Sequence, residues 1–171
     1  MFTPIRPEEL NGNAFSMIGS DWMLLTASKQ DGSFNSMTAS WGGLGILWGK
    51  PVCYCFIRPQ RYTHEFSESG EDMTACFFAP AYRKALGYFG RVSGRDTDKA
   101  KDCGFTPIAH PQGGVYYGEA RLVLRLRKLY TDRIRPEGFA DKALLANYEQ
   151  NDFHTVYVYE IVEVLQQEKD T

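Results

Sequence analysis

The apolar residues of this chain fall mainly in short runs and alternating stretches, and rarely at helical spacing. Segments 22–28 and 34–41 flank Lys29-Gln30-Asp31-Gly32-Ser33, whose Asp-Gly supplies the positive φ of a tight turn, so the pair predicts a β-hairpin. Segments 51–57 and 72–78 read as two buried strands. Across 115–130, Leu122, Leu124 and Leu126 alternate with Arg121, Arg125 and Arg127, the pattern of one long half-exposed strand, and the β-branched run 155–165 predicts a central strand. Short helices are expected between these strands. One is capped by Thr63 and runs through Ser69 to Gly70, a second covers 82–89, a third runs from a cap at Asp96 to Gly104, and a fourth covers 136–148.

Many strands with short helical insertions, and no regular βαβ alternation, predict a mainly β, antiparallel barrel or sandwich and argue against a Rossmann fold. A Gly-x-Gly-x-x-Gly between strand and helix is absent, and Gly42-Gly43-Leu44-Gly45 opens no evident helix, so a Rossmann-type nicotinamide site is not expected. No repeat, low-complexity tract or linker divides the chain, and 171 residues suffice for one core, so 1–171 is read as a single domain.

Composition sharpens this picture at three points. Aromatic residues make up 14% of the chain, which suits sheet surfaces, a subunit interface or a flat ligand. Lysine plus arginine (19) nearly balances aspartate plus glutamate (21), so nothing pulls the whole chain toward nucleic acid or an anionic membrane, and any anion site must be local. The first residues lack the plan of a signal peptide, no apolar run approaches the roughly 20 residues of a membrane span, and Cys53, Cys55, Cys76 and Cys103 lack metal-site spacing. Free buried thiols and a cytoplasmic location are the expectation.

Three polar segments could carry chemistry. In Asn35-Ser36-Met37-Thr38-Ala39-Ser40-Trp41, the period of two puts Ser36, Thr38 and Ser40 on one strand face, either as a solvated face or as a surface where a flat heterocycle meets the backbone. In Arg58-Pro59-Gln60-Arg61-Tyr62-Thr63-His64-Glu65, two arginines, hydroxyls and free helix amides converge at a helix start, which suits a phosphate; the alternative is a solvated helix start with Arg61 paired to an acid. Gly90-Arg91-Val92-Ser93-Gly94-Arg95-Asp96-Thr97-Asp98-Lys99 is a charged, tightly bent loop that either caps a helix or completes an anion pocket.

Taken in order, these three strings resemble the flavin reductase-like family, in particular its flavoredoxin branch, over most of the chain from about Ser20 onward. The resemblance implies a Greek-key split β-barrel that is homodimeric and holds FMN near the subunit interface. It implies that Asn35, Ser36, Met37, Thr38, Ala39, Ser40 and Trp41 line the flavin, that Arg58, Arg61, Tyr62 and Thr63 hold its phosphate, and that Ser93 and Arg95 complete the pocket. Related flavin reductases carry a histidine just before the last strand, and His154 occupies that place, although Tyr157-Val158-Tyr159 stands where a glycine is more usual. The implied activity is an oxidoreductase passing electrons from NAD(P)H through FMN to free flavin, oxygen, a metal complex or a redox partner protein. A non-enzymatic FMN electron carrier and a cofactor-free binding barrel are the alternatives.

Overall fold

The computed structural model describes residues 1–168. Its strands are β1 (Phe2–Ile5), β2 (Met23–Ser28), β3 (Phe34–Ala39), β4 (Gly42–Leu47), β5 (Lys50–Ile57), β6 (Asp72–Phe77), β7 (Pro107–Ala109), β8 (Val115–Tyr117), β9 (Leu122–Arg133) and β10 (Thr155–Gln167). The α-helices are α1 (Tyr62–Ser69), α2 (Arg83–Arg91) and α3 (Lys99–Cys103), and Ser16–Asp21 forms a short π-helix ahead of β2. One antiparallel sheet runs in the order β3-β2-β6-β9-β10-β5-β4, with β1 added beside the C-terminal half of β10; β7 and β8 form a separate pair. The 13 residues of β10 pair with β9 on one side and with β5 and then β1 on the other, as a β-branched central strand would.

The sheet path ends at β3 and β4, which do not pair with each other. Only Ser40 and Trp41 separate these strands in the chain, so the sheet must curl until its two ends meet at that link, with the ladder left open there. The expected antiparallel, mainly β architecture with short helices is therefore present, whereas closure of the barrel by hydrogen bonds is not.

Both faces of the central strands are covered. Leu25, Ala27, Met73, Leu124, Leu126, Tyr157 and Tyr159 pack inside the curl with Phe66 of α1, while Leu24, Cys76 and Val123, on the alternate positions, pack outward under Leu86, Phe89, Phe105 and Tyr117. Among the described residues, no helix is long and apolar enough to cross a membrane. All four cysteines are free, with Cys53 and Cys55 on the same side of β5 and their Sγ atoms 3.7 Å apart.

Several boundaries differ from the sequence pattern. Segment 115–130 is two strands, because Val115–Tyr117 leaves the large sheet to pair with β7 and the chain turns at Gly118-Glu119-Ala120 before β9 begins. The glycine-rich 42–45 is part of edge strand β4, where a side chain on Gly42 would put Cβ 2.9 Å from the Tyr54 carbonyl. Arg61, not Thr63, is the N-cap of α1, and Thr63 lies wholly buried in the first turn. Asp98, not Asp96, caps α3 by accepting from the Lys101 amide. The expected helix over 136–148 is two 3-10 turns, Pro136–Gly138 and Lys142–Tyr148, since Asp141 starts a second turn by accepting from the Ala143 amide.

Candidate functional site

The outer end of β3, the start of α1 and the α2–α3 connection meet at one place. Asn35 is buried and donates from Nδ2 to Thr63 Oγ1 at 2.7 Å, which ties β3 to the first turn of α1. The α2–α3 loop passes so close that a Cβ on Gly94 would sit 1.9 Å from Asn35 Oδ1, so only glycine fits there. Around this junction lies a cavity of about 220 Å³ lined by Asn35, Gln60, Arg61, Tyr62, Thr63, Arg91, Ser93 and Lys99 among others.

Positive charge gathers in this cavity without compensation. Lys99 is only 5% exposed and donates from Nζ to the carbonyls of Ser36 (2.6 Å) and Phe89 (3.3 Å). Burial first, and the neighbouring Arg61 charge second, lower its pKa to about 8. Arg61 reaches the Phe89 carbonyl at 3.4 Å, and burial lowers its pKa as well. Among the described residues, Arg61, Arg91 and Lys99 form no ion pair. The alternative in which an acid neutralises Arg61 is thus not what the fold builds. Buried cations are ordinarily paired, so this cavity has the donor set and the charge of an anion site.

A second compartment of about 160 Å³ shares Arg61 with the first and continues along Met37 to Trp41, Phe56, Arg58 and His154. Beyond it, Trp41, Phe56 and His154 also line an apolar compartment of about 570 Å³. The three form a row along β3 and its link to β4, cationic at one end and aromatic at the other.

His154 closes the aromatic end. It is 6% exposed, its Nδ1 lies 2.8 Å from the Tyr148 hydroxyl, and its ring stands 5.3 Å from that of half-exposed Trp41. Burial, and then the Arg58 charge, push its pKa down to about 4, so it is neutral at pH 7.

The sequence matches no protein-family profile and no curated protein. The fold does match solved structures. A flavoredoxin from Desulfovibrio vulgaris (Miyazaki F) superposes with a TM-score of 0.68 at 23% identity, over 86% of this chain and 69% of that one. A flavoredoxin from Methanosarcina acetivorans gives 0.67 at 20% identity over 96% and 77%, and an FMN-binding domain of a flavin reductases-like enzyme from Shewanella baltica OS155 gives 0.68 at 15% over 97% and 77%. The chain has the flavin reductase-like fold.

Within that fold, the structure brings together only some of the residues singled out from sequence. Asn35, Arg61, Tyr62, Thr63 and Ser93 line the cationic cavity, and Met37, Thr38, Ala39, Ser40, Trp41 and His154 line the adjoining compartment. Met37 and Ala39 nevertheless belong mainly to the core, and Thr38 Oγ1 donates to the Leu86 carbonyl at 2.6 Å. Ser36 does not share an open face with Thr38 and Ser40. It is 2% exposed, and its hydroxyl is bonded to Thr26 Oγ1 (2.8 Å) and Tyr117 OH (2.7 Å), because α2, α3 and β8 cover that end of β3.

Arg58 stands apart from the cationic cavity; its guanidinium donates to Asp152 (2.5 Å) and the Asn147 carbonyl (2.9 Å). Arg95 also turns outward, pairing with Glu65 and stacking over Tyr62, while Ser93 Oγ accepts from the Arg95 amide at 3.2 Å. Sequence reasoning did not single out Lys99, Arg91 or Tyr148 as site residues. The charged string ending at Lys99 was a signal for the first two; nothing local marked Tyr148.

Proposed function

We propose that this chain binds FMN in the row of compartments along β3 and works as a flavin reductase-like oxidoreductase. The observation that carries the reading is the unpaired cation set of buried Lys99 and half-buried Arg61, joined by Arg91, Ser93 and the first amides of α1, which fits a phosphate dianion. The neighbouring compartments, with Thr38, Ser40, Trp41 and His154, offer the backbone edge and aromatic walls that a flavin ring needs. Bound FMN would supply hydride and single-electron transfer. The protein's part is to fix the phosphate, lay the ring against β3 and keep water from one side of it.

In this reading the hydride donor is NADH or NADPH, and the acceptor is free flavin, oxygen, a metal complex or a partner oxygenase. A carrier of flavoredoxin type, exchanging electrons with another redox protein, is the second reading; the 49% exposure of Trp41 at the ring end favours it. Purifying the protein tests both, since flavin absorbance is expected and a colourless protein that ignores added FMN overturns them. Anaerobic NADPH then separates them: rapid bleaching is the reductase outcome, and a lasting yellow colour is the carrier outcome.

We also infer a cytoplasmic split-barrel homodimer. Exposed Trp41, Ile46 (69%) and Trp48 (61%) on and beside β4 supply an apolar, aromatic surface next to the site, suited to isologous contact. Light scattering at micromolar concentration is expected to give twice the chain mass; a flavin-loaded monomer would contradict this.

Two further outcomes follow from the anion cavity. A phosphate dianion beside Lys99 favours its charged form, so FMN binding at pH 8.5 is expected to take up protons. Affinity should fall above pH 8 by up to about tenfold per pH unit, and Lys99→Met should remove that dependence. Calorimetry in two buffers of different ionisation heat measures the uptake. The exposed Arg95–Glu65 pair ties the loop that lines the cavity to α1, so Glu65→Gln is expected to speed FMN release by roughly 2- to 5-fold, the worth of a surface ion pair, in a stopped-flow displacement.

A further inference from the structure

Lys99 stands at the inner wall of the anion cavity. The carbonyls of Ser36 and Phe89 take two of its three hydrogens, and no carboxylate pairs with it among the described residues. The Phe89 carbonyl also accepts from Arg61, so amine and guanidinium converge on one oxygen, and Arg91 joins them from the exposed rim. The other charged groups nearby are committed elsewhere. Asp98 accepts from the Lys101 amide, Arg95 pairs with Glu65, and Asn35, which lines the cavity from β3, has no titratable group. Burial and then the Arg61 charge lower the Lys99 pKa, against a smaller opposing influence of the Cys103 thiol on α3.

An amine that is desolvated and crowded by a second cation is a nucleophile near neutral pH. The surroundings select the electrophile. An acyl group would leave a neutral amide beside two arginines that still lack a counter-charge, whereas carbon dioxide turns the cation into an anion where the arginines need one. Carbon dioxide is also neutral and small enough to enter a cavity of about 220 Å³.

We propose that Lys99 is a carbon dioxide-binding residue, whose amine forms a carbamate held by Arg61 and Arg91 in the cationic cavity. Nζ forms a bond to carbon, one C=O π pair moves onto oxygen, and an Nζ proton leaves to water at the cavity mouth; nothing is oxidised or reduced. The carbamate nitrogen keeps one hydrogen, enough for the Ser36 carbonyl. The new carboxylate takes the place of a phosphate, so carbon dioxide and FMN exclude each other. That competition rests on the FMN reading above; the carbamate itself does not.

The full chain, freed of any flavin and equilibrated with ¹³C-labelled carbon dioxide at pH 8.5, tests the assignment by ¹³C NMR and by trapping with triethyloxonium followed by peptide mass mapping. A carbamate is expected at Lys99, lost on saturation with FMN and unaffected by riboflavin. At pH 6.5 and the same carbon dioxide pressure it should fall by more than about tenfold, since protonation removes the nucleophile and the reaction releases a proton. Arg61→Ala should lower its occupancy about tenfold, through loss of a charge-assisted partner. Lys99→Arg keeps the charge and cannot react, so it should lose this resonance and keep that of the exposed amino terminus of Met1. Mapping on the parent chain stands even if a variant folds poorly. No adduct at residue 99, an adduct indifferent to Arg61→Ala, or one that survives bound FMN overturns the proposal. A Lys99 carbamate in a chain that ignores FMN would refute the FMN reading alone, and a chain that binds FMN but yields no Lys99 adduct when flavin-free would refute this inference alone.

Discussion

An Arg61→Ala variant is expected to bind FMN about 10- to 100-fold more weakly than the parent chain while binding riboflavin equally well. Arg61 is half-buried where the cationic cavity meets the ring compartment, and among the described residues it has no acidic partner. A guanidinium held there can make charge-assisted hydrogen bonds to a phosphate, each worth roughly 1.5–3 kcal/mol, and riboflavin has no phosphate to lose. Losing the arginine also relieves the repulsion that lowers the Lys99 pKa, which trims the effect and keeps it below the sum of separate bonds. Arg58→Ala is the control that the structure adds. Because Arg58 is held by Asp152 and Asn147, its loss should loosen the 147–154 segment and cost little FMN affinity. Fluorescence titrations with both flavins measure this, and equal affinity of the parent for FMN and riboflavin would remove the cationic cavity from the flavin site.

The strands were legible in sequence wherever a local signal existed. Asp31-Gly32 fixed the first hairpin, and Gly32 has the positive φ (84°) the turn needs. The leucine–arginine alternation of 122–127 revealed β9 because period two is imposed by the pleat itself. What periodicity could not show was where one strand stops. Residues 115–117 and 122–133 are both β-rich, and only pairing with β7, a tertiary fact, separates them. Capping failed in a similar way. Thr63 and Asp96 are good cap residues, but Thr63 is taken by Asn35, and Asp98 lies at the spacing that reaches the Lys101 amide.

The site was legible as three strings rather than as a set of roles. Ser36 and Thr38 do alternate along β3, whereas Ser40 lies just past its end, and the two-residue period says nothing of what packs above each position: α2 and β8 bury Ser36 while Ser40 stays exposed. Arginine pairs look alike in sequence as well. Arg58 finds Asp152 across 94 residues of chain and Arg61 finds no acid among the described residues, a difference set by topology. Lys99 escaped notice because a lysine in a charged loop ordinarily points to water, whereas this one is turned inward by two backbone carbonyls.

Replacing His154 by alanine is expected to leave FMN bound and to slow its reduction by about 10- to 100-fold, the low end of positioning effects. Burial holds the imidazole neutral at pH 7, with its pKa pushed down to about 4, so it acts there by position and as a neutral hydrogen-bonding group and not as an imidazolium acid. The rate should therefore show no titration of His154 between pH 5.5 and 8, and a step near 6.5 that vanishes in the variant would overturn this account. The same buried imidazole sets a stability trend whose sign is fixed. Its folded pKa lies below the unfolded value of 6.5, so the unfolded chain binds the proton first, and stability is lost as pH falls from 6.5 toward 4. A difference of this size corresponds to roughly 3 kcal/mol, read to within about one, between the two ends of that window. His154→Phe keeps an aromatic ring against Trp41 and Tyr148 and has nothing to protonate, so its denaturant midpoint should vary less over the same window than the parent's. A rate per bound flavin that is unchanged in His154→Ala, with the pH trend in stability still removed, would make His154 a purely structural residue and withdraw it from the site.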